Sequence, residues 1–310
     1  MKREKSFAGN ADNLPALPDH NASIAPDVVT SLFINYKWRR LISDALQSYA
    51  DSIIRNLDDS LVDDYRNKFQ VLLNDLYTVD APLAAGYRAR VLATNPSRYN
   101  PLAEGGGTTI LDIASNNYTG VYSGVTWDGT LSPFGEPAPF FDGANDYGNL
   151  LSAAWSSAFS FSEGCFLIWF KVANAGVWTD ATTRRIIELN RSAGADHDIT
   201  LLKSNTSNRL SMLRRVPGSL RVFDMDGLSN PNWISLMLSW SVTANQFRAY
   251  INGTLFGTHP APTGTGSGLL RSNLGVITVS PPASVFHGYF SNLVFWPGPA
   301  TADKIALMTP

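Results

Sequence analysis

The chain of 310 residues has one cysteine, Cys165, so no internal disulfide is available and the core must hold by packing alone. Cys165 sits in the apolar run "CFLIWF", where its expected role is that of a small buried hydrophobe. No stretch of about 18 apolar residues exists, which excludes a membrane-spanning helix. Basic residues are no more abundant than acidic ones: 24 Lys and Arg stand against 26 Asp and Glu, a formal net charge of -2. Nucleic-acid binding calls for a basic face, so neither nucleic acid nor membrane is expected as a partner. The start "MKREKSFAGN" is basic but has no apolar segment behind it, so a cleaved signal peptide is not expected and cytoplasmic synthesis is. Motifs of catalysis are missing too. There is no H-E-x-x-H and no G-x-S-x-G, and His20, His259 and His287 are scattered without a nucleophile beside them. The glycines of "AEGGGTT" and "TGTGSG" lack the strand–loop–helix setting of a phosphate cradle.

What is there falls into two compositions. Residues 1–95 carry 23 charged side chains but 2 glycines, and residues 96–310 carry 27 and 22. Seven of the eight tryptophans also lie in the second part, so a domain boundary is expected near 80–100. The expected order is an extended arm over 1–25, a helical attachment or oligomerisation segment over 26–94, and a β-domain over 95–310. In the helical segment Leu32, Tyr36, Ile42, Leu46, Tyr49, Ile53 and Leu57 recur mostly three or four apart, as do Val62, Tyr65, Phe69, Leu72, Leu73 and Leu76. A third, shorter helix is expected over "PLAAGYRARVLA". Such helices have little core of their own and must bury their stripes against the next domain or against copies of themselves.

The second part changes period. "NWISLMLSWS" sends Ile234, Leu236, Leu238 and Trp240 one way and Trp233, Ser235, Met237 and Ser239 the other, as a strand does. "FSFSEGCFLIWFKV" is apolar on both faces, which fits a strand between two layers. "NQFRAYINGTLFGT" reads as a hairpin turning at Asn252-Gly253. Further strands are expected at "RRIIEL", "DITLLK", "NRLSMLRR", "SLRVF", "GVITV" and "GYFSNLVFW", with one or two helical turns at "TADKIALM". Many short strands split by Gly, Asn and Pro turns point to a sandwich or barrel.

The order of these pieces resembles the laminin G-like domains of the concanavalin A-like lectin/glucanase superfamily. The resemblance runs through Tyr87, Val91-Leu92-Ala93, Asn95-Pro96, Tyr99, Leu102, Glu104, Gly107-Thr108, Asp112, Ser115-Asn116-Asn117, Gly120 and Tyr122. It continues through "FFDGANDYGNL", the Trp strand with its Asn-Gly hairpin, and "GYFSNLVFWPGPATADKIALM". It covers about 70% of the chain and implies a mainly β fold, a concanavalin A-like jelly-roll sandwich of two antiparallel sheets after a helical N-terminal segment. Domains of this kind with such an N-terminus occur in bacteriophage structural proteins. The resemblance therefore implies a virion component of tail, fibre or head decoration, held to other virion proteins by the arm and helices. A homo-oligomer follows from the same reading, with a trimer favoured, and host surface glycan is the implied ligand. A carbohydrate-binding module of a cell surface, or secreted, is the alternative, and a glycoside hydrolase or lyase the third reading. Glucanases of the superfamily carry Glu-x-Asp-x-x-Glu on one strand; here "RRIIELN" offers Glu188 alone, so no enzyme and no catalytic residue is expected.

Candidate glycan contacts are Trp127, Trp178, Asp180, Asp196 and His197. Trp127 and Asp128 close the Asn/Gly-rich stretch "ASNNYTGVYSGVTW", where an aromatic face and an acid meet, although a turn opening the sandwich explains the same residues. Trp178 and Asp180 stand in a polar loop, where an exposed Trp would stack on a sugar. No cofactor is expected. Calcium ligands would come from Asp196, Asp198, Asp224 and Asp226, although three or four oxygens fall short of a full cage.

Overall fold

A computed structural model describes residues 80–191, 198–262, 268–279 and 281–310. The arm, the two longer helices expected before residue 80, and Asp196 and His197 lie outside the described residues.

The strands form two antiparallel sheets, as a jelly-roll sandwich requires. The first runs in the order β1 (Arg98–Asn100), β17 (His287–Trp296), β6 (Glu163–Val172), β11 (Ile234–Ser241), β12 (Gln246–Ile251) and β13 (Thr254–His259), with β4 (Phe140–Asp142) also pairing β17. The second runs β10 (Ser219–Met225), β9 (Leu210–Val216), β8 (Asp198–Lys203), β7 (Arg184–Asn190), β14 (Arg271–Leu274), β5 (Tyr147–Asn149), β3 (Gly120–Ser123) and β2 (Thr109–Ile110). A small ribbon joins β15 (Thr278–Val279) to β16 (Pro282–Ala283). Among the described residues four helices accompany them: α1 (Asp80–Ala93), α2 (Ala153–Ala158), α3 (Gly176–Thr179) and α4 (Ala302–Ala306).

Alternation on β11 sorts its side chains as the sequence pattern demands. Ile234, Leu236, Leu238 and Trp240 enter the core between the sheets, while Met237 joins a second apolar cluster on the outer face of the first sheet. That cluster is closed by Tyr87 and Val91 of α1, by Phe134, and by Leu307 and Met308 after α4. The central strands β6, β11 and β17 are therefore buried on both faces, which is why β6 reads as an unbroken apolar run over "CFLIWF". Strands β11 and β17 carry small polar residues such as Ser235, Ser239 and Ser291 within their buried faces. Cys165 is wholly buried there, and burial pushes its thiol up to about 12, so it packs as a hydrophobe.

The helix expected over "PLAAGYRARVLA" is α1, but it does not belong to a separate attachment segment ending at residue 94. Tyr87 stacks on Phe134 at 3.9 Å, donates its hydroxyl to the Leu307 carbonyl at 2.9 Å and receives the Trp169 indole N–H at 3.3 Å. Residues 75–310 accordingly form one compact unit. The boundary moves because the first sheet needs a cover for its outer face.

The Asn252-Gly253 hairpin turns with φ of 48° and 82°, the left-handed pair of a type I′ connection. Of "GVITV", only Thr278–Val279 forms a strand, β15, and it pairs with β16 rather than extending β14. The pairing of β14 ends one residue earlier, at Leu274, because Gly275 takes φ 79° and passes so close to Phe141 that a Cβ would lie 2.8 Å from the ring.

The stretch "ASNNYTGVYSGVTW" is a turn followed by β3. Buried Asp112 organises it: its carboxylate accepts from the backbone N–H groups of Tyr99 at 2.8 Å, Ala114 at 3.0 Å and Tyr118 at 2.6 Å. Replacing Asp112 with alanine strands three N–H groups in or near the interior. We expect a loss of about 2–4 kcal/mol in urea unfolding, against under ~1 kcal/mol if the turn rebuilds around water.

Candidate functional site

Every second residue of the eight-stranded sheet points away from the core. On β7 and β8, Ile187, Leu189, Ile199 and Leu201 face inward, so Glu188, Asn190, Asp198 and Thr200 face outward. Register lays these into two rows across the sheet. One row runs Thr200, Glu188, Asn273, Asn149; the other runs Arg215, Asp198, Asn190, Arg271. These stretches are polar, although the first row continues into Leu213 beyond Thr200 and into Val121 beyond Asn149. The middle of each is closed to solvent: Glu188 is 2% exposed, Asn190 1%, Thr200 1% and Asn273 3%. Polar groups buried on a face that points away from the core are the informative exception to ordinary burial.

Part of this polarity is satisfied internally. Thr200 Oγ1 donates to Glu188 Oε2 at 3.0 Å, Arg185 Nε lies 3.6 Å from the same oxygen, and Asn273 Nδ2 donates to the Ile277 carbonyl at 3.2 Å. Asn149 Oδ1 accepts from the Leu151 N–H at 3.0 Å. Three buried atoms of this cluster make no hydrogen bond: Asp198 Oδ1, Arg271 Nε and Arg185 Nε. Burial, and then the charge of Glu188, push the Asp198 carboxyl up to about 6, with Arg215 and Arg185 partly offsetting them. At the open end of the face Tyr147 lies two residues before Asn149, so its half-buried ring projects on the same side. Amides, a guanidinium and a phenol ring side by side offer the paired donors, acceptors and flat apolar surface that sugar hydroxyls and C–H faces require.

The expected contacts are distributed differently. Trp178 is fully buried in the core, and its indole N–H donates to the Asn230 carbonyl at 2.9 Å, so it has no free face for a sugar. The polar loop around it becomes α3, which turns Val177 and Trp178 inward. Asp180 is a structural anchor: Arg184 Nη2 reaches Oδ2 at 2.8 Å and buried Lys203 Nζ reaches Oδ1 at 2.5 Å. Trp127 is half-buried against the core with Tyr122 edge-on at 6.0 Å, and Asp128 accepts from the Tyr289 hydroxyl at 2.7 Å. The aromatic face and the acid thus part company within one turn.

Asp224 and Asp226 are not cation ligands waiting for calcium. Arg209 Nε lies 2.7 Å from Asp226 Oδ1, Arg209 Nη1 lies 3.4 Å from Asp224 Oδ2, and Ser211 donates to Asp224 at 2.6 Å. A guanidinium already occupies the place a cation would take. Among the described residues no three Asp, Glu, His or Cys side chains converge as a metal site. Of the sequence candidates, Asp198 and Glu188 share the polar face. Asn149, Asn190, Asn273, Arg271 and Tyr147 join them there; their signal in the sequence is polar residues two apart, as in "DYGN" and "RSN", inside strands.

The sandwich resembles botulinum neurotoxin binding domains. The serotype D ligand binding domain in complex with N-acetylneuraminic acid aligns with a TM-score of 0.53 at 10% identity, over 70% of this chain and 52% of that one. The binding domain of botulinum neurotoxin DC in complex with rat synaptotagmin II aligns at 0.51 and 11% identity, over 69% and 51%. The chain thus spans about half the length of the structures it matches, and at such identity the likeness is one of fold. No protein-family model matches the chain, and no curated protein matches it in sequence.

Proposed function

We propose that the chain is a carbohydrate-binding module whose ligand lies on the outer face of the eight-stranded sheet. The observation that carries this reading is the double polar row whose margin leaves Tyr147, Asn149 and Arg271 half-exposed on one face. A fold shared with a domain solved in complex with N-acetylneuraminic acid supports it. Half-exposed Tyr147, Asn149 and Arg271 are the contact groups, and the buried Glu188, Asn190 and Asn273 lie beside them on the same face. The test is a glycan array on the full chain, followed by titration calorimetry with the best binder. Tyr147→Ala and Asn149→Ala should each weaken binding about tenfold, the equivalent of ~1.4 kcal/mol, with little change in Tm. No binder on the array, or undiminished affinity in both variants, overturns the assignment.

We propose binding without turnover. Glu188 and Asp198 are diagonal neighbours across β7 and β8, about 7–8 Å apart by strand geometry, a spacing within reach of glycoside hydrolysis. Yet Glu188 is 2% exposed and Asp198 8%, so neither carboxyl presents itself to a glycosidic bond. Release of reducing ends from the bound glycan would contradict this.

For residues 1–79 we propose attachment, to other virion proteins or to copies of the chain, as the sequence resemblance implies. Light scattering on the full chain should give a mass of at least three protomers; a monomer would remove the oligomeric part of that reading.

A further inference from the structure

Among the described residues two arginines, Arg98 and Arg214, are wholly or almost wholly buried, and their surroundings differ. Arg98 donates to Asn100 Oδ1 and to the Leu150 carbonyl, each at 2.7 Å, lies 5.2 Å from the centre of the Trp155 ring, and feels the charge of Asp112. Arg214 is 1% exposed and has no carboxylate near it. Its Nη2 donates to the Phe161 carbonyl at 2.6 Å and more weakly to that of Pro262 at 3.4 Å, while Nε and Nη1 are buried and make no hydrogen bond. Burial alone lowers the pKa of its guanidinium, to about 10, so it remains charged at neutral pH. An uncompensated buried charge with two idle donors is among the costliest features a core can hold.

Its cross-strand partner makes the charge worse. Arg214 on β9 stands directly opposite Arg221 on β10, and both share the side of Met212 and Phe223, the side facing the core. Like charges directly opposite destabilise a sheet pair. Arg221 is half-exposed on the edge strand, where it donates at 3.1 Å to the carbonyl of its own neighbour, Leu220. An edge position leaves a route from solvent to the pair.

We infer that Arg214 and Arg221 form an anion site at the β10 edge of the sandwich, taking a carboxylate, sulfate or phosphate group. The planar fork of a guanidinium matches all three by paired N–H···O bonds, and an anion between two such forks turns their repulsion into a bridge. The site lies on the opposite face of the sheet from Asp198 and Arg271, and it goes beyond the saccharide reading without depending on it.

The test is thermal unfolding of the full chain in sodium acetate, sodium sulfate or sodium phosphate, against sodium chloride at matched ionic strength. At least one of the three should raise Tm saturably, by roughly 5 °C at a hundredfold excess over its Kd, where chloride does not. The anion with the largest shift identifies the class: acetate a carboxylate, sulfate or phosphate its own. Arg221→Gln, at a half-exposed position, should abolish the shift with the fold intact. Arg214→Met should abolish it too, and in chloride should be no less stable than the native chain, because an unpaired buried charge has gone. Tyr147→Ala should retain the full shift, which separates this site from the saccharide face. Equal Tm in all four salts, or a shift undiminished in Arg221→Gln, would overturn the inference.

Discussion

Trp178→Ala should destabilise the protein by about 3–5 kcal/mol, the range for removing a large buried aromatic side chain. The side chain is 0% exposed and packs in the inter-sheet core. Its indole N–H is paired with the Asn230 carbonyl, and its own carbonyl accepts from the Asn208 N–H at 2.7 Å. Truncation would leave a cavity where α3 meets the core and would strand the Asn230 carbonyl. Urea unfolding followed by the fluorescence of the remaining tryptophans measures the loss. If stability fell by under ~1 kcal/mol while glycan binding vanished, the ring would be a ligand platform after all, and the burial described here would be wrong. A loss of stability with residual affinity in the folded fraction is the expected pair of results.

Asp198→Asn should act in the other direction. The carboxyl of Asp198 titrates at about 6 in the folded chain against an ordinary value of 3.8, because burial and Glu188 oppose its ionisation. The folded state therefore holds this proton more tightly than the unfolded state. The resulting stabilisation is complete below about pH 4 and is lost as pH rises through about 6. The difference of about two units corresponds to roughly 3 kcal/mol, withheld from the native protein at pH 8. Asparagine keeps the shape without the charge, so the variant should be more stable than the native chain at pH 8, by up to about 3 kcal/mol. The part of the pH 4–6 slope that belongs to this group should be absent from the variant. Unfolding free energies at pH 4, 6 and 8 for both proteins decide it. Parallel pH profiles would mean that Asp198 is solvated and that the polar face is open over it.

Both expectations concern residues that the sequence marks for other roles. A Trp beside Thr179 and Asp180 looks exposed because its neighbours are polar, but a single turn of helix is enough to swing one ring inward while the flanking groups stay outside. Asp198, a calcium-ligand candidate together with Asp196, opens the strand expected at "DITLLK". As the first residue of β8 it pairs with Asn190 and Arg215, which commits its side chain to the outer face. Asp224 and Asp226 looked like a cation pair only while Arg209, fifteen and seventeen positions away, was out of view.

What the sequence determined by itself was the local and periodic part. Period-two alternation assigned β11 its two faces, the apolar run of β6 announced a strand covered on both sides, and Asn252-Gly253 specified a hairpin. These depend on neighbours within a few residues, and strand geometry transmits them directly into structure. Tertiary structure decided everything that required distant strands to meet. Cover for the first sheet came from α1 and the C-terminus, more than 200 positions apart yet joined through Tyr87 and Leu307. The polar face is made of Glu188, Asn273 and Asn149 from three strands, and the anion site of Arg214 and Arg221 from a hairpin whose register alone makes them partners. Cross-strand register is the physical reason: a one-residue slip would turn each of these side chains to the opposite face, and only the packed core fixes which face is which.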